Sequence, residues 1–329
     1  MTLDRDFIKA LTEVPSVGTA CKPVLNLLIE RFGAAWQHTF VEDGFCLFQK
    51  AGATPAELRA VFVAHVDEVG GCVYGVREEG GFHARVWGNQ PQIFADATLQ
   101  GFDYLAESAT ETYPVMGQVV FQNSEERLAI FGEKVRPYRT GWTFKEETLF
   151  DGDFVEGKAL DPRITVYAVA EAVKAISDPR IGVVFVMAEE CAMDVAQKAV
   201  EFLRRNAPNL ELIANADVPH IKNIGDGRLD MPAIRVFEGT NFIDPAFGIR
   251  MADTLLAQGV ELHLSAAKSG SQTRLFTPLA PTLSIALPSD NVHVPRYRMS
   301  LTGTERCVRL LQAIGEWVIG NRTMQEDRE

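Results

Sequence analysis

Residues 157–190, GKALDPRITVYAVAEAVKAISDPRIGVVFVMAEE, hold the reading on which the fold turns. The spacing of apolar residues predicts a helix over Ile164 to Ile176, and the unbroken run from Ile181 to Met187 predicts a strand. Working outward, a second helix is expected over Met193 to Asn206 and a second strand over Leu210 to Ala216. Helix and strand in regular alternation imply a parallel α/β sheet. Upstream, LRAVFVA at 58–64 is an apolar run of the kind buried on both faces of such a sheet. Two amphipathic helices precede it, over Asp4 to Leu11 and Cys21 to Phe32. Downstream, Ala233 to Phe237, Glu261 to Ala267 and Pro281 to Leu287 read as strands, with a helix over Phe247 to Gln258. A last helix carries Cys307, Val308, Leu311, Ile314 and Val318 on one side and gives way to the polar tail NRTMQEDRE.

The texture changes between Val73 and Phe154, where short β-branched and aromatic runs are broken by glycine, as in GCVYGVREEGGFHARVWG, PVMGQVVFQ and RLAIFGEKV. This segment is expected to be a small antiparallel β domain. The expected division is a catalytic domain of residues 1–72 and 155–329 interrupted by an insert of residues 73–154.

Composition narrows the class of protein. With 47% apolar and 23% charged residues over 329 positions, the chain can bury a substantial core. A net charge of −12 argues against nucleic acid or an anionic membrane surface as the main partner and is compatible with cations. The five cysteines, Cys21, Cys46, Cys72, Cys191 and Cys307, are scattered and lack a CxxC pair, which suggests thiols in a reducing compartment. No stretch reaches the roughly 18 apolar residues of a membrane span, and the start, MTLDRDFIKALTEV, is not that of a signal peptide, so a cytoplasmic location is expected.

Residues able to ligate metal fall directly after apolar strand runs. His65, Asp67 and Glu68 close VFVA, Glu189 and Glu190 close VVFVMA, Asp217 closes LIANA, and His293 follows LSIAL by a short loop. In open α/β sheets the ligand crevice lies outside the carboxyl ends of the strands. His65-Val66-Asp67 is an H-x-D unit, in which one ring nitrogen can bind a metal while a carboxylate holds the other. Of two adjacent acids, one can serve as ligand and the other as general base. Each has a plainer reading taken singly: polar residues mark strand ends, two acids make a solvated loop, and Asp161 before Pro162 suits a helix N-cap.

Taken together, HVDEVG at 65–70, GKALDPR at 157–163, Glu189-Glu190, NADV at 215–218 and the late His293 resemble metallopeptidase family 42, the glutamyl and deblocking aminopeptidases, over essentially the whole chain. The resemblance implies a zinc-peptidase-like fold, with a mixed, largely parallel sheet flanked by helices and an inserted β-barrel-like domain. It implies two divalent ions, zinc or cobalt, bridged by Asp161, with His65 and Asp217 completing one site and Glu190 and His293 the other. Glu189 would be the base that activates a water shared by the ions, and Asp67 would orient His65. The substrates would be peptides losing N-terminal residues, and the chain would self-assemble, from dimer to dodecamer.

Three segments depart from the family pattern. Pro162 stands where a second acid follows the bridging aspartate, and the expectation is that the Asp161–Pro162 bond is cis. SGSQTRL at 269–275 replaces a segment containing Thr-Asp-Ala, and the residues flanking His293 differ. His38, His83, His220 and His263 lie outside the matched motifs and read as surface or packing residues, with His220, near Asp217, the first to check. Related ligand sets also serve carboxypeptidases and amide deacylases, and a non-catalytic relative acting as a scaffold is the alternative of a different class.

Overall fold

The computed structural model describes residues 2–108, 111–122, 124–223, 228–239, 243–268 and 270–320. Ser269, in the departing segment, and the tail from Asn321 lie outside the described residues. The centre is an eight-stranded sheet in the order Trp36–Val41, Phe45–Lys50, Ile181–Val186, Ala60–His65, Leu212–Asp217, Thr282–Ala286, Ala233–Glu238 and His263–Ala267. The four strands from Ile181–Val186 to Thr282–Ala286 are neighbours and run parallel, so their carboxyl ends share one edge. Antiparallel pairing joins Phe45–Lys50 to one side of this group and Ala233–Glu238 to the other. The sheet is therefore mixed and largely parallel, as expected.

Alternation along Ala60–His65 shows why its strand is apolar throughout. Phe62 and Ala64 enter one core, with Ile164, Val169 and Val173 of the helix Leu160–Ile176. Val61 and Val63 enter another, with Ala199, Val200 and Leu203 of the helix Gln197–Asn206. A strand covered on both faces has no place for a polar side chain until its end. The helix Leu160–Ile176 is itself buried on most sides, packed between the sheet and the helix Leu301–Gly320.

Between Gly70 and Phe144 the chain forms a closed barrel in the order Gly70–Val76, Phe82–Trp87, Glu125–Phe131, Tyr113–Gln122, Leu99–Asp103 and Thr140–Phe144. Val73, Phe94, Leu128, Ile130, Trp142 and Phe144 fill it. Closure removes the unpaired edges that six short strands would otherwise expose. A three-stranded sheet of Leu149–Asp151, Phe154–Gly157 and Tyr297–Ser300 then returns the chain to the main body, pairing Gly157 with Tyr297. That pairing sets the segment before Asp161 beside the segment after His293.

The sequence reading placed the second helix too early at its start: Met193–Ala196 is a 3-10 turn, and the α-helix begins at Gln197. It missed the hairpin Trp36–Lys50, whose first strand alternates exposed and half-buried residues at the sheet edge. Among the described residues no helix is long and apolar enough to cross a membrane. All five cysteines are free of disulfides.

Candidate metal and catalytic site

The parallel strand ends bring the candidate side chains together in a crevice of about 230 Å³ lined by His65, Asp161, Glu189, Glu190, Asp217 and His293 among others. Asp161 lies at the centre. Its Oδ1 is 3.3 Å from His65 Nε2 and its Oδ2 is 3.6 Å from His293 Nε2. His65 Nε2 is also 3.6 Å from Asp217 Oδ1, and His293 Nε2 is 3.0 Å from Glu190 Oε1. One carboxylate thus faces two imidazoles, each with a second carboxylate of its own.

Backbone geometry turns Asp161 away from capping. Asp161 is extended (φ −84°, ψ 114°) before the helix proper, its N–H donates to Tyr297 Oη at 2.7 Å, and its bond to Pro162 is cis. Its buried Oδ1 has no hydrogen-bond partner of good geometry. Ala159, Ala188 and His293 all have positive φ, near 53°, 62° and 60°. Left-handed backbone at residues with side chains is costly and collects where a site demands it. Here it lies two residues before Asp161 and directly before Glu189, and it includes His293 itself.

Asp67 ties two strands' ends together. Its Oδ1 lies 3.3 Å from His65 Nδ1 and accepts the N–H of Glu189 at 2.9 Å, while its Oδ2 accepts the N–H of Glu190 at 3.1 Å. The imidazole is thereby oriented with Nε2 toward the crevice, and the Glu189-Glu190 turn is held in register with it. Gly88 (φ 78°), from the barrel, closes over the same turn; a Cβ there would lie 3.0 Å from Glu190 Oε2 and 2.2 Å from Val69 Cγ1.

Crowded acids and imidazoles perturb one another strongly. Burial raises the pKa of Glu189 well above the ordinary carboxylate value, with Glu190, Asp217 and Asp67 adding to the rise against the opposing effect of His65. Burial also raises Glu190, partly offset by His293. Burial opposes charge on His65, yet the facing carboxylates of Asp161, Asp217 and Asp67 leave its pKa well above the ordinary imidazole value. His293 is raised in the same way by Glu190 and Asp161 against burial. Asp217 stays low although burial works against it, because His65 and Arg235 stabilise its charge.

The donor set fits divalent cations. Ligand atoms about 2.0–2.1 Å from a tetrahedral zinc lie roughly 3.3 Å apart, which is the range of the four His–carboxylate separations above. Donor atoms of His65, Asp161 and Glu190 all lie within 4.8 Å of one another. The orphaned Oδ1 of Asp161 lacks the partner that a cation would provide.

Several groups around the crevice escaped the sequence reading. Lys158 donates to both oxygens of Glu68 (2.7 and 2.8 Å), and Thr143 of the barrel donates to Glu68 Oε2 at 2.9 Å. Arg163 donates to Leu11 O and Ser16 Oγ, each at 2.6 Å. Arg235 reaches Asp217 Oδ2 at 3.4 Å and is bonded to Glu238 at 2.5 Å. Asn89 of the barrel donates to the backbone oxygen of His293. Lys158 and Arg163 sat inside the matched motifs, which was a usable signal, whereas Arg235 and Asn89 had none; Glu68, read from sequence among the candidate ligands, is instead paired with Lys158 and does not line the crevice. His220, read from sequence as a surface or packing residue, lines the crevice instead. The other three histidines outside the motifs do not line it.

A largely parallel sheet with an inserted barrel and a carboxylate–imidazole cluster at its strand ends is a zinc-peptidase-like fold. The chain belongs to the M42 glutamyl aminopeptidase family, whose sequence profile matches residues 123–310, more than half of it. A search of curated proteins finds no match. Among solved structures, the TET1 peptidase of Pyrococcus horikoshii superposes with a TM-score of 0.78 at 19% identity, covering 94% of this chain and 98% of that one. The aminopeptidase APDkam598 of the archaeon Desulfurococcus kamchatkensis gives 0.77 at 16%, covering 97% of each. An M18 family aminopeptidase of Thermotoga maritima gives 0.69 at 10%, covering 94% and 95%. At these identities the likeness is one of fold.

Proposed function

We propose that this protein is a two-metal aminopeptidase that removes N-terminal residues from peptides. The observation that carries the reading is the position of Asp161, whose two oxygens face His65 and His293 separately. In this reading Asp161 would be shared between two cations, His65 and Asp217 would help hold one, and Glu190 and His293 would help hold the other. Bound there, zinc or cobalt would supply Lewis acidity, polarising the substrate carbonyl and making a water acidic near neutral pH.

Glu189 is the proposed base. A carboxylate whose pKa is raised by burial and by neighbouring acids can take a proton from water and return it, to the leaving amine, near neutral pH. Asp67 contributes by orientation, holding His65 and the Glu189-Glu190 backbone together. Residues 73–154 are proposed as the inserted domain and residues 1–72 and 155–329 as the catalytic one. We also propose a cytoplasmic protein that acts on peptides, not on nucleic acid or membranes, and a homo-oligomer between dimer and dodecamer. The Pyrococcus horikoshii TET1 peptidase is described as assembling into a tetrahedron or an octahedral shell; mass measurement in solution tests self-assembly here.

Zinc- or cobalt-loaded wild type and Glu189→Gln, assayed on aminoacyl reporters and on peptides with free or blocked N-termini, test the activity. The expected result is two metal ions per chain in both proteins, cleavage of free N-termini by wild type, and a loss of about 10²–10⁴ in the variant. Cleavage of blocked substrates alone would mean a deacylase. Bound metal with equal, negligible hydrolysis in both would mean a scaffold.

A further inference from the structure

We propose that His220 touches the substrate, its Nε2–H donating a hydrogen bond to the carbonyl oxygen of the scissile bond as negative charge builds there. The proposal rests on the aminopeptidase reading and adds a catalytic residue to it. His220 lines the same crevice as His65, Asp161, Glu189 and Asp217. It is anchored on both sides: it lies three residues beyond Asp217, and its backbone bridges Ser289, in the loop that leads to His293.

The ring's tautomer follows from its hydrogen bond within its own loop. Nδ1 accepts the backbone N–H of Lys222 at 3.0 Å. A nitrogen that accepts carries no proton, so the neutral ring bears its hydrogen on Nε2. Among the described residues that donor has no partner. It cannot receive the α-ammonium of a substrate, which has only hydrogens to offer, and it therefore selects an oxygen.

The electrostatics say which oxygen benefits. Asp161, Glu189, Glu190 and Asp217 bring four carboxylates to a crevice of about 230 Å³. A carbonyl oxygen gaining charge in that field is disfavoured except where a cation or a fixed donor meets it. His65 and His293 are engaged with carboxylates, which leaves His220 and Asn223 as the side-chain donors on that wall among the described residues. Of these, His220 has the ring fixed by its own loop and costs no reorganisation when the charge appears.

His220→Leu and His220→Gln, zinc-loaded and matched for metal content and melting temperature, test this. Gln keeps an N–H donor near the position of Nε2; Leu removes it at similar bulk. The expected result for Leu is a kcat lowered roughly ten- to a hundredfold with KM changed by less than about threefold. The loss should be alike on glutamyl, leucyl and lysyl reporters, and Gln should recover most of it. By calorimetry, the phosphonate analogue of leucine, whose tetrahedral oxygens are negative, should bind the Leu variant correspondingly more weakly. A change in KM alone, a loss confined to acidic reporters, or unchanged phosphonate affinity would overturn the proposal. If wild type cleaves no free N-terminus while phosphonate affinity still falls in the Leu variant, the aminopeptidase reading fails and the oxygen-donor role of His220 stands.

Discussion

The sheet and the barrel solve different problems with the same chain. At the sheet, four parallel strands buried on both faces release their first polar side chains together, so the chemistry gathers at one edge. The barrel strands alternate buried and exposed positions, as along Pro114–Gln118, where Val115 and Gly117 are buried and Pro114, Met116 and Gln118 are exposed, and its strands supply none of the clustered acids or imidazoles. Its contributions are supportive: Asn89 on the His293 backbone, Thr143 on Glu68, and the close passage of Gly88 over Glu190. Parallel burial concentrates function, whereas closure of the barrel spends its side chains on its own interior and offers the site backbone and hydrogen bonds.

Substitution at the centre of the sheet edge should separate the two regions most clearly. Asp161→Ala should lower turnover by at least about a thousandfold, the share of several kcal/mol attributed to Lewis-acid chemistry, and reduce bound metal per chain on elemental analysis. A barrel change with an equal effect would erase the distinction. Next comes the seam between them. Lys158→Ala leaves Glu68 buried without its cation and should cost about 3–5 kcal/mol in chemical denaturation. A loss under about 1 kcal/mol would show that Thr143 and Ser16 satisfy Glu68 unaided.

Asn89→Ala measures the barrel's own support. Activity should fall roughly tenfold, through weaker metal binding, with stability little altered. An unchanged metal affinity would confine the barrel to a structural role. Smallest is Asp4→Ala, remote from both regions, where the carboxylate caps the first helix by accepting from Phe7 N–H and pairs with Arg31. The cost should be about 1 kcal/mol near neutral pH. Its pKa is lowered in the fold, first by the Phe7 hydrogen bond, and, against an opposing effect of burial, by Arg31. This contribution is therefore present above the unfolded value of 3.8 and is lost as pH falls through the lower folded one, so wild type and variant should converge in acid melts.

The legible parts of the sequence were those governed by burial. Ile181–Val186, Ala60–His65, Leu212–Asp217 and Thr282–Ala286 each announced themselves as apolar runs, and the polar residues next to them located the crevice. The hairpin Trp36–Lys50 did not, because its edge strand includes His38, Thr39 and Gln37 and is half open to solvent. Arg235 was illegible for another reason: an arginine within a strand reads as outward-facing, and only the tertiary pairing with Asp217 and Glu238 accounts for its burial. His220 carried no periodic signal at all, since a short loop and a single bridge to Ser289 fix its place.

The span of Asp67's hydrogen bonds bears on the order of assembly. It fastens His65 to backbone that lies 122 and 123 residues beyond Asp67 itself, and Asp161 must wait for His293 before both its oxygens are faced. During synthesis the first imidazole emerges long before the second, so the complete cluster can form only after His293 has been made. If the cluster holds cations as proposed, their capture during refolding would serve as a late-stage clock for closure of the sheet edge.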